Sequence, residues 1–538
     1  MPHHFSLLDW LIVALYFALL AASGWWFSRR EPSGAREYFL AGRQMPVWAV
    51  AISVVATATS AATFIGAPEE AFAGNLTYLS TNIGAFIAVA VVAIFFIPAF
   101  YRHNVTTVYD LLEVRFGRPA KMGASWAFLI GRILASGARL FIGAIPLALI
   151  LFRDDHPAAV IASIAILVVV GILYTLVGGI RSVIWTDAIQ TLVFVVAVAA
   201  AAAILLSRIP VPLGQIISEL RATQVGEGSK LVAVTTGLDP AKPLLGFDPA
   251  QAYTLLTAVC GFSLLMIAAY GTDHDLAQRM LTCKTPFKGS MSAVTAIIIN
   301  LPIVALFMCI GLLLYVFYQR PDLMGAAAPH DAPTAGRKVF LTFILTEMPS
   351  GLSGLMMAGL FATGLGSFNS ALNAMAAAFV NDCYTPLRPG KSERHYLVAG
   401  RFAVAGWGII LGAFACFCVF WQEGSGDTLI QFALNVMTFA YAGLLGVYFT
   451  ALFTKRRGNS RSALAALAVG FVVVGLMQKQ VWPHWAAVIP LHITLADGTK
   501  TASLADIKIA FPWILFIATA CTTTVCLLGT TRPRRAPG

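Results

Sequence analysis

The chain has 538 residues, 58% of them hydrophobic and only 11% charged, with a mean hydropathy of +0.79, which excludes an ordinary soluble globular protein and fits a polytopic membrane protein. A formal net charge of +11 would suggest nucleic acid in a soluble protein, but here its distribution among the loops carries the information. Eight cysteines lie in or beside apolar segments without metal-ligand spacing, which points to neither a disulfide framework nor a zinc site.

The first apolar run, 9–27, lacks a basic leading region and a small-residue cleavage site, so it reads as a retained span. The next, 44–72, exceeds the roughly 20 residues needed to cross a bilayer, yet it reads badly as one rod. Thr57, Thr59, Ser60 and Thr63 place hydroxyls in its middle, and Gly66-Ala67-Pro68 follows. Pro68 removes a backbone donor and Gly66 tolerates unusual dihedrals, so a helix in two halves is expected, broken near Gly66. Broken backbone at membrane depth persists only where protein or a wet cavity satisfies it. Freed carbonyls suit a small cation, and the N-terminal end of a half-helix suits a carboxylate.

Further apolar segments fall at 77–100, 122–151, 157–177, 183–207, 251–277, 289–318, 340–382, 398–421, 428–453, 462–478 and 509–529, for thirteen in all. Alternate connectors carry about twice as many Lys and Arg residues as the longer connectors between them, which places the N-terminus outside and the C-terminus in the cytoplasm. Two arginines stand apart, because Arg132 and Arg139 lie inside the fourth segment. A basic side chain at mid-membrane costs on the order of 3 kcal/mol, and residues seven apart share a helix face. Two readings stand: bonding to backbone carbonyls or snorkelling, and recognition of an anionic substrate by one of the pair.

Asp187, in GGIRSVIWTDAIQ, is the acidic counterpart and a candidate cation ligand, with a helix-capping role as the alternative. The seventh segment ends in Tyr270-Gly271, a second possible break, followed by Asp273, His274 and Asp275. His274 alone among nine histidines lies near a span interior, which leaves no histidine metal cluster. The ninth segment is rich in small residues that let helices approach closely. Its polar groups Thr363, Ser367, Asn369, Ser370 and Asn373 recur at helical spacing. Hard oxygen donors on one helix, opposite the carbonyls of a broken one, suit Na+.

EYFLAGRQMPVWAVAISVVATATSAATFIGAP, TTVYDLLEVRFG, YTLVGGIRSVIWTDAIQ, TDHDLAQRMLTCK and SALNAMAAAFVNDCY resemble, in order and spacing, signature segments of the sodium/solute symporter family. TEMPSGLSGLMMAGLFA is similar to its bacterial sialic-acid branch. The resemblance implies an all-α membrane protein of about thirteen transmembrane helices, with a five-plus-five inverted-repeat, LeuT-like core, one leading helix and two trailing ones. On this basis the chain divides into 1–43 (leading helix and cytoplasmic loop), 44–207 (first repeat), 208–250 (extracellular loop), 251–455 (second repeat) and 456–538 (trailing helices and basic tail).

Carried over by position, the main sodium site would use the carbonyls of Ala56, Thr59 and Thr363 and hydroxyls at 366 and 367. Ser367 fits; Gly366 has no hydroxyl to give. A second sodium site would map to Asp187, Asn369 and Ser370, and substrate contacts to Ser60, Thr63 and Asn82, with Tyr270 and Asp273 beside them. The branch's arginine aligns with either Arg132 or Arg139. One or two Na+ ions are thus expected as co-transported ligands, with a small polar, anionic organic solute (sialic-acid-like, monocarboxylate or similar) imported across a bacterial inner membrane by a chain acting as a monomer. Proton coupling through Asp187 or His274 is the nearest rival and a substrate sensor the next. An enzyme is not indicated, since no HExxH is present and PGKS at 389–392 lacks the upstream glycine of a phosphate loop; nor is nucleic acid.

Overall fold

The computed structural model describes residues 5–28, 40–177, 180–226, 228–238, 248–329, 339–425, 428–487, 492–494 and 501–530. The connector arginines Arg29, Arg30, Arg36 and Arg337, part of the 208–250 loop and the basic tail from 531 lie outside the described residues. The described chain is helical apart from two small antiparallel strand pairs, 224–225 with 228–229 and 492–494 with 501–503.

In chain order the helices are α1 (Leu7–Ser28), α2 (Val47–Ala58), α3 (Ala61–Ala73), α4 (Thr77–Arg102), α5 (Asp110–Phe116), α6 (Arg118–Leu151), α7 (Pro157–Val177), α8 (Ile180–Arg208), α9 (Leu213–Ala222), α10 (Leu255–Thr272), α11 (His274–Leu281), α12 (Pro286–Gln319), α13 (Val339–Thr346), α14 (Leu352–Leu387), α15 (Glu393–Ser425), α16 (Leu429–Phe453), α17 (Ser460–Leu476) and α18 (Phe511–Leu528). Among the described residues eleven helices are long and apolar enough to cross a membrane, twelve if α2 and α3, bent by 65°, count as one span. α17 is apolar but shorter, at 17 residues. The segment read as one span over 340–382 is two helices, α13 and α14, separated where Gly351 takes a left-handed φ of 88°.

The first interruption is real but lies elsewhere than expected. Thr59 and Ser60 are both extended, so the helix breaks there, whereas Gly66 and Pro68 sit inside α3. Their role is packing. A Cβ on Gly66 would fall 2.9 Å from the Ile430 side chain, and a Cβ on Gly311 of α12 would fall 2.3 Å from the Pro68 carbonyl oxygen. Gly66 thus lets α16, and Gly311 lets α12, close on α3. The second interruption follows a wide helical turn over 268–272, with Asp273 extended (ψ 119°). Its carboxylate then caps α11 by accepting the Asp275 amide at 3.0 Å.

Between the two breaks stands the core. α8 packs on α2 and α14, α12 on α2 and α3, and α6 on α14, α15 and α16, while α16, α17 and α18 form a triangle on one side. Small residues set these approaches: Gly359 meets Ala197 across α14 and α8, and Gly470 meets the Gly443 backbone across α17 and α16. The leading helix α1 leans on α14, where Asp9 Oδ1 accepts the Gly351 and Gly354 amides at 2.7 Å each, satisfying the orphan donors of that helix start.

Candidate functional site

At the first break the Val55 carbonyl still accepts the Thr59 amide at 2.8 Å, and helical pairing stops there. The last carbonyls of α2 therefore lack intrahelical partners, and the buried Thr59 hydroxyl has no hydrogen-bond partner among the described residues. Past the break the first turn of α3 begins, with Ser60 at its cap making no side-chain capping bond. The positive end of a helix dipole and free amides thus face the same space.

That space is a cavity of about 100 Å³. Ser60, Thr63, Asn82, Arg132, Arg139 and Tyr270, all expected on sequence grounds, line it together with Thr59, Tyr78, Asn300 and Tyr441. Asp273 does not line it. Its Oδ1 is held by Arg132 (2.9 and 3.2 Å) and its Oδ2 accepts the Tyr441 hydroxyl at 2.8 Å, so it stands behind the wall as a positioning group.

The two arginines differ in their partners. Arg132 bridges Asp273 and Asp275, each at 2.9 Å. Arg139 makes only a 3.2 Å contact with the Met437 sulfur, and no carboxylate among the described residues pairs with it. A second buried arginine, placed in a connector by the charge count over the sequence, belongs to the site. Arg279 is fully buried, bonding Asp275 Oδ1 at 2.9 Å, Asp187 Oδ2 at 3.2 Å and the Ser53 hydroxyl at 2.8 Å. The result is a chain of charges, Asp273–Arg132–Asp275–Arg279–Asp187, three carboxylates against two guanidiniums. Arg139 in the wall makes the local balance even. The signal for Arg279 was present in its i−4 neighbour Asp275.

The residues proposed for a second cation are drawn into this chain. Asp187 accepts the Ser53 hydroxyl at 2.5 Å and Arg279, while Ser370 donates to Asp275. Asn369 lines a separate cleft between α1, α7, α8 and α14. The Arg279 guanidinium already sits beside Asp187, 3.2 Å from its Oδ2. For the main cation position, Thr363 and Ser367 hydroxyls bond carbonyls of their own helix at 2.9 and 3.1 Å, leaving their oxygens' remaining lone pairs for a ligand. The α14 stretch reaches the break, since Cβ atoms at Gly364 and Ala61 would lie 3.7 Å apart. His274 is buried between the rings of Tyr109 and Phe128, away from the cavity wall, with neither ring nitrogen partnered among the described residues.

The sequence profile of the Sodium:solute symporter family matches residues 38–470. The chain belongs to the sodium:solute symporter family. This symporter is 28% identical over 482 residues to a sodium/sialic acid symporter of Proteus mirabilis, covering 88% of this chain and 90% of that one. It is 26% identical to the human sodium/iodide cotransporter over 87% of this chain and 69% of the relative. The solved structure of a Na+-coupled sialic acid symporter in a substrate-bound outward-open state superposes with a TM-score of 0.75 at 22% identity, over 98% and 99% of the two chains. The nucleobase-cation-symport-1 transporter MHP1 gives 0.53 at 15% identity, over 93% and 95%. The symporter is therefore a multi-pass membrane protein with the inverted-repeat fold, coupling solute movement to sodium.

Proposed function

We propose that this symporter imports an anionic organic solute, a carboxylate of the sialic-acid or monocarboxylate kind, bound between the start of α3 and Arg139, with Na+ bound at the end of α2. The observation that carries the anion is Arg139: a guanidinium in the cavity wall with no carboxylate partner among the described residues, beside a helix N-terminus. Arg132, by contrast, is committed to two aspartates and holds the wall in shape. The cation reading rests on the carbonyls at 56–58, which lack intrahelical partners, on the Thr59 hydroxyl, which has no partner among the described residues, and on the approach of α14 to the break at Gly364, one residue from Thr363 and three from Ser367. A second ion beside Asp187 would have to share that carboxylate with Arg279.

Na+ bound there fixes the end of α2 and so the solute contacts on Ser60 and Thr63, and each ligand then raises the other's affinity by the same factor. Rocking of one set of helices against the other around this point gives alternating access. Each tenfold sodium gradient contributes about 1.4 kcal/mol, and a charge moving through about 100 mV roughly 2.3 kcal/mol. The chain works as a monomer, without covalent chemistry and without nucleic acid, in the plasma membrane of a bacterium with its N-terminus outside. Uptake of labelled sialic acids, monocarboxylates, amino acids and neutral sugars into proteoliposomes under an inward sodium gradient tests the reading. Saturable uptake of one carboxylate class supports it; uptake confined to neutral solutes overturns it.

A further inference from the structure

The cation position described above lacks one expected oxygen, because residue 366 is glycine. The structure shows what stands in its place. A Cβ built on Gly366 would fall 2.7 Å from Gln190 Oε1 and 3.4 Å from Gln190 Cδ. A neighbour's amide oxygen thus occupies the volume that a serine side chain would need.

Gln190 belongs to α8, one turn beyond Asp187, and is 2% exposed. Its height relative to the break follows from two contacts. Trp48 stacks edge-on against Trp185, and Ser53 bonds Asp187, so α2 and α8 run in the same direction here. Three residues further along each helix, about 4.5 Å at 1.5 Å per residue, Gln190 lies level with Ala56. Its oxygen therefore lies against the 366–367 turn of α14, level with the end of α2.

The amide is oriented from outside the repeats. Gln190 Nε2 donates to the Tyr16 hydroxyl of α1 at 3.4 Å, which turns Oε1 away from α1 and toward Gly366. No hydrogen bond to that oxygen is formed among the described residues, which leaves its lone pairs for a ligand. Tyr16 is itself fixed, since Asp9, seven residues earlier on the same face, is tied to the start of α14.

We propose that Gln190 Oε1 is a ligand of the transported Na+, replacing the hydroxyl absent at Gly366, and that Tyr16 of the leading helix is the positioning residue that aims it. The proposal rests on the cation reading above. It gives the leading helix a task in ion binding, and it explains how a glycine is tolerated at 366: the hard oxygen comes from across the interface instead of from α14.

The test uses Na+ alone, so the solute need not be known. Binding of 22Na+ to the purified full-length protein, at constant ionic strength made up with K+, is compared among variants whose thermal midpoints in K+ match the wild type. Gln190→Ala is expected to weaken Na+ binding by roughly tenfold or more, and Gln190→Glu, which keeps an oxygen at that place, to retain it. Tyr16→Phe leaves Gln190 intact but frees its amide to turn, and weakens binding about threefold to tenfold. The deciding arm is Gln190→Ala/Gly366→Ser, where a serine hydroxyl enters the vacated volume and binding returns to within about threefold of wild type. Wild-type affinity in Gln190→Ala, or a double variant no better than Gln190→Ala, overturns the proposal while leaving the cation site standing. Absence of saturable Na+ binding in the wild type removes the cation site and the proposal together.

Discussion

Arg132 and Arg139 look alike in the sequence, two basic residues on one face of one membrane helix, and their environments separate them. Arg132 serves two buried carboxylates, so Arg132→Gln leaves both short of a counter-charge and is expected to cost roughly 3–5 kcal/mol of stability, read as a lowered thermal midpoint. Arg139→Gln removes a group bonded only to a methionine sulfur. It should leave the midpoint near the wild type while raising the KM for the carboxylate about tenfold or more, as loss of a charge-assisted bond does. The reverse pattern would exchange their roles. Asp187→Asn strips Arg279 of one partner and is expected to lower both stability and the sodium dependence of uptake. Unchanged sodium half-saturation in a folded Asp187→Asn would place the carboxylate outside ion coupling. That these positions carry charge was legible in the sequence. Which acid meets which base was not, because Arg132 and Asp273 are 141 positions apart and only the fold joins them.

The interrupted helix was likewise legible as an element, through its central hydroxyls, but its break was expected seven residues too late. Gly and Pro are strong punctuators in isolation, yet here Gly66 and Pro68 act in packing against α16 and α12. Two hydroxyl residues, Thr59 and Ser60, form the break, where α2 ends and α3 begins beside the cavity. The far end of α3 is held by a connector residue that no pattern announced. Lys230 donates to the Phe72 carbonyl at 2.5 Å and lies 4.0 Å from the Tyr315 ring centre, while Glu70 accepts from Thr428 and Gln431 of α16. Burial pushes the Lys230 ammonium down to about 8. An unfolded lysine keeps its proton up to about 10.4, so between these values the unfolded chain binds the extra proton and stability from this group rises with pH. Relative to Lys230→Met, whose side chain does not titrate, the wild-type thermal midpoint is expected to climb between pH 8 and 10. A difference that stays flat across that window would contradict the burial of the charged amine.

At the scale of the whole molecule the helical class and most span positions follow from hydropathy, since apolar runs of spanning length have few other uses. Finer features do not. The division of 340–382 into α13 and α14 depends on a left-handed glycine, and Arg279 is buried on a helix that reads in the sequence as a basic connector. The functional reading follows the same gradient. The family and its sodium coupling are carried by motifs along most of the chain, whereas the proposed anion and ion positions rest on residues that only the fold brings near one another, from α2, α3, α6, α8 and α14. The first interruption leaves the carbonyls that end α2 and the amides that start α3 open beside one cavity. On the proposed reading a cation at the former and an anion at the latter make each other's binding more favourable. The most direct measurement of this coupling is carboxylate accumulation in proteoliposomes under an imposed sodium gradient, with a proton gradient or equal potassium as the alternatives. An inward sodium gradient should drive uphill accumulation that Gln190→Ala and Arg139→Gln both weaken, the first relieved by more sodium and the second by more solute. Accumulation that follows the proton gradient and ignores sodium would contradict the account.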